Sequence, residues 1–366
     1  MSAIDFEQFQ EKYGKDKLLH PENSNRLIEW MNGNNVPPIT VMICPTDRCQ
    51  HMCPRCVGGR IGVENLQNMQ GIVEQLANYS TKSLVVSGGG EPLLNRQTPE
   101  MIEFARKMGL DVGLITNGGV RLSDDKMIKV VKNTNWIRIS MDASTPEEYT
   151  HSHGMDEINF SRMIDNVRNM ATLRDKCGLT SCDIGAGYLT DSVTKNGMVR
   201  ATAMCKENGL SYIQFRPFFY DDTETDTEFA DCLKYADDSF RVLRSEYRYN
   251  KNTLSSGDRG YKKCLSPNFE TTISATGNVY ICCHTIGLEN YNIGNINKTP
   301  FKDIWENEKR KEVTNSVTFE NCPPICKWHV TNNVLYSIKD LNIGPDQVQT
   351  ISNSRHGEIY STVKIL

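Results

Sequence analysis

The chain has 366 residues, a formal net charge of −4 and 13 cysteines. This mildly acidic balance argues against a nucleic-acid-binding protein, which usually presents a basic field, and no apolar run approaches the ~20 residues needed to cross a bilayer. The N-terminus lacks the basic and apolar regions of a signal peptide, so we expect a cytoplasmic protein, in which clustered cysteines indicate metal or redox chemistry rather than disulfides.

Strand–helix alternation begins after an N-terminal segment, residues 1–36, in which helices are predicted over 4–13 and 25–31. A pair of prolines separates this segment from the first strand. The six predicted strands are short apolar or β-branched runs at 39–43, 83–87, 111–116, 136–141, 183–189 and 212–217. The helical patterns between them lie at 63–77, 97–108, 124–131, 160–174 and 193–207. This alternation predicts an α/β fold, a partial (β/α)6 barrel of the TIM type over 37–250.

The remaining residues, 251–366, are predicted to form a small C-terminal domain and tail. Before it, a helix is expected over 228–247, packed on the barrel. Two alternating runs on either side of a glycine turn predict a hairpin of 269–273 and 279–282. The last forty residues contain a helical stretch over 334–341 and a strand-like tail.

Three cysteines, Cys49, Cys53 and Cys56, follow the first predicted strand at offsets of four and three. A closed zinc site needs four ligands, whereas an iron–sulfur cube held by three cysteines can offer its fourth iron to a small molecule. In parallel barrels the chemistry collects on loops after the C-terminal ends of strands, which is where this triplet lies. The triplet therefore favours an open iron–sulfur cluster, with a structural metal or a chance pattern as the alternative.

Later strand ends carry glycines and polar side chains. The second strand runs into Ser87-Gly88-Gly89-Gly90-Glu91-Pro92, in which the glycines allow backbone groups to approach a ligand closely. The third strand ends at Thr116 and Asn117, and the fourth at Ser140 and Asp142. Asp142 can instead be the N-cap of the next helix, although a serine two residues later is better placed for that role.

The cysteine spacing together with the Gly-Gly-Glu-Pro segment resembles the radical S-adenosylmethionine (SAM) superfamily. The resemblance implies that Cys49, Cys53 and Cys56 hold a 4Fe–4S cluster whose open iron binds SAM. It also implies that the glycine-rich segment contacts the amino group of SAM, and that the fourth strand end contacts the ribose and carboxylate. The cofactor-binding residues implied in this way are Gly89, Gly90, Glu91, Pro92, Thr116, Asn117, Ser140 and Asp142.

Two positions depart from the pattern of this superfamily. The residue before the third cysteine is usually aromatic, but here it is Arg55, which can stack on a π face and cannot supply the usual apolar contact to adenine. The fifth strand, with Gly185 and Gly187, resembles the adenine-contacting strand but lacks the usual acidic residue at its predicted end.

A second cysteine group lies near the C-terminus: Cys264, Cys282, Cys283, Cys322 and Cys326. On their own these residues suit a four-cysteine site for zinc or a 4Fe–4S cluster. Beside the first group, their spacing resembles the twitch domain, the shortened SPASM extension of radical SAM enzymes such as 2-deoxy-scyllo-inosamine dehydrogenase. The resemblance implies one auxiliary 4Fe–4S cluster held by Cys264, Cys282, Cys322 and Cys326, although a shift of one residue would exchange Cys282 with Cys283.

The resemblance also implies the chemistry. An external one-electron donor such as flavodoxin or ferredoxin reduces the first cluster, SAM is cleaved to a 5′-deoxyadenosyl radical, and the radical abstracts hydrogen from the substrate. If the auxiliary cluster then accepts an electron, the protein is a dehydrogenase-like oxidoreductase acting on a small polar substrate such as a sugar, cyclitol or nucleotide-linked sugar. Strand-end position makes Arg216, Tyr188 and Gln214 the candidate catalytic residues, with a structural role equally open for Arg216. The alternatives are a peptide maturase, a redox-neutral epimerase, and a non-enzymatic iron–sulfur or zinc-binding protein.

Overall fold

A single large sheet forms the centre of the protein. The computed structural model describes residues 3–13, 16–56, 62–219, 221–249, 259–323 and 326–355. The strands among them are β1 (Thr40–Ile43), β2 (Ser83–Val86), β3 (Asp111–Thr116), β4 (Trp136–Ser140), β5 (Asp183–Thr190), β6 (Tyr212–Pro217), β7 (Arg241–Arg244), β8 (Glu270–Ile273), β9 (Asn278–Tyr280) and β10 (Asn292–Asn295). They hydrogen-bond in the order β10-β9-β8-β1-β2-β3-β4-β5-β6-β7.

Parallel pairing runs through most of this sheet. From β1 to β7 each strand pairs in parallel with the next, and β8 pairs in parallel with β1 on its other side. Antiparallel pairing joins β8 to β9 and β9 to β10. The prediction of a partial barrel of the TIM type is therefore confirmed, and all six predicted strands are present.

Helices cover the sheet and lie between successive strands. They are α1 (Ala3–Tyr13), α2 (Pro21–Met31), α3 (Met69–Asn78), α4 (Thr98–Lys107), α5 (Asp124–Lys132), α6 (Pro146–His153), α7 (Glu157–Lys176), α8 (Met198–Glu207), α9 (Asp226–Leu233), α10 (Phe301–Glu306), α11 (Glu308–Asn315), α12 (His329–Asp340) and α13 (Pro345–Asn353). The side chain of Thr145 caps α6 by accepting a hydrogen bond from Glu148 N. The N-cap of this helix is therefore neither Asp142 nor Ser144. None of the described helices is long and apolar enough to cross a membrane.

One predicted helix is wrong. The stretch 228–247 contains only the short α9, and then the strand β7 and a 3-10 turn over Glu246–Tyr249. Phe240 and Val242 are both buried at a spacing of two, which is the spacing of a strand. The predicted hairpin is present as β8 and β9, but β8 also joins the barrel sheet. The predicted strand-like tail falls on 356–366, outside the described residues.

Two apolar cores hold these elements together. The larger one packs helices against the barrel strands. The smaller one joins the N-terminal helices to the C-terminal helices, through residues such as Leu27 and Leu335, which are fully buried. The two ends of the described chain therefore share one core, beside β8.

Side chains along β4, β5 and β6 point alternately into the barrel and towards the helices. A Cβ atom added to Gly185 would lie 2.4 Å from the ring of Tyr212, and one added to Gly187 would lie 2.8 Å from Nη2 of Arg216. The glycines of β5 therefore leave room for large inward side chains from the neighbouring strands. The opposite face of β5 carries Tyr188, which packs on Phe215 towards the helices.

Candidate active site

The loop after β1 carries the first cysteine group at the edge of the barrel. Cys49 and Cys56 are exposed, and Cys53 is half-buried. The Sγ atom of Cys53 lies 3.3 Å from Nδ1 of His153, and Nδ2 of Asn117 lies 3.8 Å from Sγ of Cys49. The three predicted ligands are thus presented by one loop, and two of them contact side chains of other elements.

The chemistry of these thiols fits an iron–sulfur cluster. Burial, with the neighbouring Cys56 and Cys49, raises the pKa of Cys53 to about 12. A nearby cation favours the thiolate form of Cys53, and cysteine thiolates are the ligands that hold iron–sulfur clusters. The donor set therefore suits a cluster.

The glycine-rich segment after β2 packs directly on the cysteine loop. Gly90 N donates to Thr46 O at 3.1 Å, and Glu91 N donates to Arg48 O at 2.8 Å. A Cβ atom on Gly90 would lie 2.1 Å from Arg48 O, so no larger residue fits here without a backbone shift. The amide of Gly89 faces the buried thiol of Cys44, and Pro92 begins a 3-10 turn.

The Glu91 carboxylate links this segment to the end of β3. It is buried and accepts hydrogen bonds from Leu93 N at 3.0 Å, Thr116 Oγ1 at 2.7 Å and Asn117 N at 2.7 Å. Asn117 Oδ1 in turn accepts from Gln50 Nε2 at 3.0 Å, within the cysteine loop. Four of the predicted cofactor-binding residues therefore form one hydrogen-bonded network with the cysteine loop: Gly90, Glu91, Thr116 and Asn117.

The end of β4 adds a second buried carboxylate. Asp142 has a left-handed backbone with φ of +46°, and its Oδ1 accepts from Leu189 N at 2.7 Å. Its Oδ2 lies 3.9 Å from Nε2 of His153, the residue that contacts Cys53. Ser140, the last residue of β4, is half-buried beside Gly187 of β5. Asp142 thus ties the ends of β4 and β5 together beside the cysteine loop.

An acidic residue does follow β5, contrary to the sequence expectation. The strand extends to Thr190, and the next residue, Asp191, is buried and lies 2.9 Å from a guanidinium nitrogen of Arg55 and 2.8 Å from Nε2 of His151. Burial tends to raise the pKa of Asp191, but hydrogen bonds from His151, Thr194 and Val193 outweigh it and lower the pKa to about 2. The predicted strand ends at residue 189, one residue too early, and Asp191 was therefore not recognised as the acidic residue that follows β5.

Arg55 takes the position of the expected aromatic residue. Its guanidinium carbon lies 4.4 Å from the ring centre of Phe218. With the ion pair to Asp191, this stacking holds the guanidinium against the wall of the barrel.

The second cysteine group comes together from three segments of the chain. The thiols of Cys264, Cys322 and Cys326 interact electrostatically with one another, and Cys326 also interacts with Cys283. Burial and the neighbouring Cys264 raise the pKa of Cys326 to about 11. Cys282 and Cys283 contact each other through their thiols. Sulfur donors that come together in this way, one buried and the others half-buried, again suit a metal cluster.

A cavity of about 650 Å³ connects the two cysteine groups. Cys56 of the first group and Cys322 of the second both line it. Arg216, a predicted catalytic residue, lines the cavity, and Gln214 lies one inward position deeper on β6, with its Nε2 3.5 Å from Ser245 Oγ. Tyr188 does not face it, because its hydroxyl donates to Thr194 O at 2.8 Å on the helical side of the sheet. Arg248, which also lines the cavity, was missed because it directly follows the stretch 228–247, which was predicted to be a helix packed on the barrel.

Comparisons with known proteins agree with this arrangement. Residues 43–183 match the radical SAM superfamily, and residues 264–328 match the SPASM iron–sulfur cluster-binding domain. The chain is 23% identical over 318 residues to an AdoMet-dependent heme synthase of Methanosarcina barkeri, covering 79% of this chain and 84% of that protein. It is 34% identical over 88 residues to a PqqA peptide cyclase of Xanthomonas oryzae, a match that covers 22% of this chain and 23% of that protein.

Among solved structures, the fold is similar to that of Streptococcus suis SuiB bound to S-adenosylmethionine. The TM-score is 0.61 at 12% identity, over 81% of this chain and 73% of SuiB. Taken with the two domain matches, the cysteine groups show that the chain carries a radical SAM domain and a C-terminal SPASM domain, which bind S-adenosylmethionine and two iron–sulfur clusters.

Proposed function

We propose that the protein is a radical SAM oxidoreductase whose small polar substrate binds in the cavity between the two cysteine groups. The observation that carries this proposal is that Cys56 and Cys322 line the same cavity. A substrate held there lies beside both cluster sites at once. When bound and reduced by an external donor such as flavodoxin or ferredoxin, SAM and its cluster supply hydrogen-atom abstraction, and the second cluster supplies an electron acceptor.

The residues of the chain position the reactants and exclude water. Glu91 and Asn117 fix the ends of β2 and β3 against the cysteine loop through the hydrogen bonds described above. Pro217, Phe218 and Phe219 give the cavity an apolar wall, and Arg216 and Arg248 supply polar contacts within it. A few polar groups in an otherwise apolar pocket are typical of a small-molecule site. A sugar, a cyclitol or a nucleotide-linked sugar fits this description.

Peptide modification is the second candidate. The similarity to a PqqA peptide cyclase and the fold shared with SuiB, which has been crystallised with its precursor peptide SuiA, favour it. In that case the cavity would take one side chain of a longer substrate. A redox-neutral reaction, as in an epimerase, would leave the second cluster without an electron-accepting role.

The test uses anaerobically reconstituted protein with reductant, SAM, and panels of polyols, nucleotide sugars and peptides. We expect 5′-deoxyadenosine, and with the right panel member a product two electrons more oxidised than the substrate. Cys53→Ala should lose both products. Cys322→Ala should keep cleavage of SAM while losing the oxidised product, and the matched control Cys177→Ala, at an exposed cysteine, should lose neither.

Three results would overturn the proposal in different ways. Absence of 5′-deoxyadenosine from the reconstituted protein would exclude radical SAM catalysis. Turnover of peptides alone would select the peptide candidate. Solvent deuterium in a product of unchanged oxidation state would select the redox-neutral reaction.

A further inference from the structure

Three arginines converge inside the barrel without acidic partners. Arg138 projects inward from β4, Arg216 from β6, and Arg248 lies in the turn after β7. None of the three takes part in an ion pair with the described residues, whereas Arg55 and Arg244 each contact an aspartate. A buried guanidinium without a counter-charge is costly, and such groups are usually paired or bind a ligand.

Part of the hydrogen-bonding capacity of these arginines is also unused among the described residues. The Nε atoms of Arg138 and Arg216 are buried, and neither has a hydrogen-bond partner within the described parts of the chain. Both side chains pack against Gly187, where an added Cβ atom would lie 2.8 Å from Nη2 of Arg216 and 3.3 Å from Cδ of Arg138. Among the residues that the structure describes, the guanidinium of Arg248 makes one hydrogen bond, a long one of 3.4 Å from Nη2 to Pro217 O.

The arginines repel one another. Burial, followed by repulsion from Arg216, lowers the pKa of Arg138 to about 9 and that of Arg248 to about 10. An anion that enters the cavity would therefore be bound favourably, because it would offset the repulsion between the arginines and accept hydrogen bonds from their unpaired N–H groups.

The nearby carboxylates do not neutralise this cluster. Asp142 attracts Arg138 and Arg216, but one of its oxygens is held by Leu189 N and the other lies towards His153. Glu320 lines the cavity, yet it forms no ion pair with an arginine of the cluster in the described structure. SAM itself carries a single carboxylate, which leaves at least one guanidinium for another ligand.

We propose that the substrate is an anion with carboxylate or phosphate groups, bound by Arg216 and Arg248 at the cavity wall and by Arg138 deeper in the barrel. This rests on the proposed function, because it places the substrate in the cavity between the cysteine groups. Planar guanidinium groups bind both carboxylate and phosphate in a bidentate manner. The arginines therefore indicate a negatively charged substrate, and experiment must decide between carboxylate and phosphate.

The test measures anion binding, and no turnover is needed. Full-length reconstituted protein with oxidised clusters is saturated with SAM. It is then titrated calorimetrically with inorganic phosphate, pyrophosphate, succinate and tricarballylate, at an ionic strength held constant with chloride. We expect saturable binding of either the phosphates (phosphate and pyrophosphate) or the carboxylates (succinate and tricarballylate). The class that binds identifies whether the substrate carries phosphate or carboxylate groups. Arg216→Gln and Arg248→Gln should each weaken that binding by about tenfold or more.

Matched variants separate binding from folding. Arg162→Gln, at an exposed arginine on α7 that contacts Asn159, should leave anion binding unchanged. Arg216→Lys keeps the charge but loses the fork of donors, so it should retain part of the binding. Iron content and melting temperature equal to those of the wild type show that a variant is folded.

Several outcomes would overturn the inference. One is that no anion binds better than chloride. Another is that Arg216→Gln weakens the binding of SAM alone, which would assign the guanidinium to the carboxylate of the cofactor. A third is that Arg248→Gln leaves anion binding unchanged but shifts the reduction potential of the second cluster. That result would assign Arg248 to balancing the charge of Cys326. Normal anion binding without any oxidised product would instead count only against the proposed function.

Discussion

At the residue scale, the pair of Arg55 and Asp191 shows how this chain builds the wall beside its first cysteine group. The guanidinium of Arg55 lies over the ring of Phe218 and forms an ion pair with Asp191, which follows β5. The second oxygen of Asp191 accepts hydrogen bonds from Val193 N and Thr194 N, both at 2.9 Å. Asp191 therefore fixes both the loop after β5 and the residue next to Cys56.

Replacing this carboxylate should weaken the fold in a pH-dependent way. The pKa of Asp191 is lowered from 3.8 to about 2, so its contribution is complete above 3.8 and is lost as the pH falls towards 2. We expect Asp191→Asn to reduce the free energy of unfolding by about 2 kcal/mol at neutral pH. The measurement is urea unfolding of the metal-free wild type and variant across the acidic range.

A surface aspartate provides the control. Asp183 contacts Arg241 at 2.7 Å, but both side chains are nearly half exposed, so Asp183→Asn should change stability by less than about 1 kcal/mol. If the difference between wild type and Asp191→Asn were the same at acidic and neutral pH, Asp191 would not be held ionised by these contacts.

At the element scale, local patterns predict the strands but not all of their partners. Each of the six predicted runs is a parallel strand, because strands that are buried on both faces are rich in apolar and β-branched residues. The segment of β7 was assigned to a helix, because its four residues are too few to display alternation and its apolar neighbours also fit a helical spacing. The pairing of β8 with β1 joins distant parts of the chain, and no local pattern encodes it.

The residues of the candidate site were likewise predictable from the sequence only in part. Cysteines and glycines at short spacing are visible in the sequence because one loop carries each motif. Arg138, Asp191 and Arg248 acquire their significance only when different strands place them together. An inward position on β4, two residues before Ser140, was the one available signal for Arg138.

The contact between the glycine-rich segment and the cysteine loop gives a test at this scale. Gly90→Ala would place a methyl group 2.1 Å from Arg48 O, so the two loops must separate. We expect the variant to fold but to retain less than half of the iron of the first cluster and to bind SAM at least tenfold more weakly. Iron analysis and equilibrium dialysis with labelled SAM measure these two effects.

Gly62→Ala is the matched control for this substitution. Gly62 follows the cysteine loop, and the nearest atom to its added Cβ lies at 3.8 Å, an ordinary contact distance. It should bind iron and SAM as the wild type does. Normal binding of both by Gly90→Ala would mean that close packing of these loops is not required for the cofactor site.

At the scale of the whole molecule, a single sheet brings the two cysteine groups together. The strand that leads into the first group, β1, pairs on one side with β8, and Cys264 and Cys282 flank the hairpin of β8 and β9. The two cluster sites are therefore mounted on adjacent strands of one framework. The proposed oxidation of a substrate in the shared cavity depends on this proximity of the two sites.

This arrangement predicts two metal sites that can be emptied independently. We expect about eight irons and eight sulfides per chain in the reconstituted wild type, with Cys53→Ala and Cys326→Ala each losing about half. Each substitution should leave the other site loaded with iron, since the three predicted cysteine ligands of the first site and the four of the second are different residues. The exposed Cys177 gives the control variant, Cys177→Ala, which should keep the full content. Zinc in place of iron at the second site would make that site structural and remove the electron acceptor on which the oxidoreductase proposal depends.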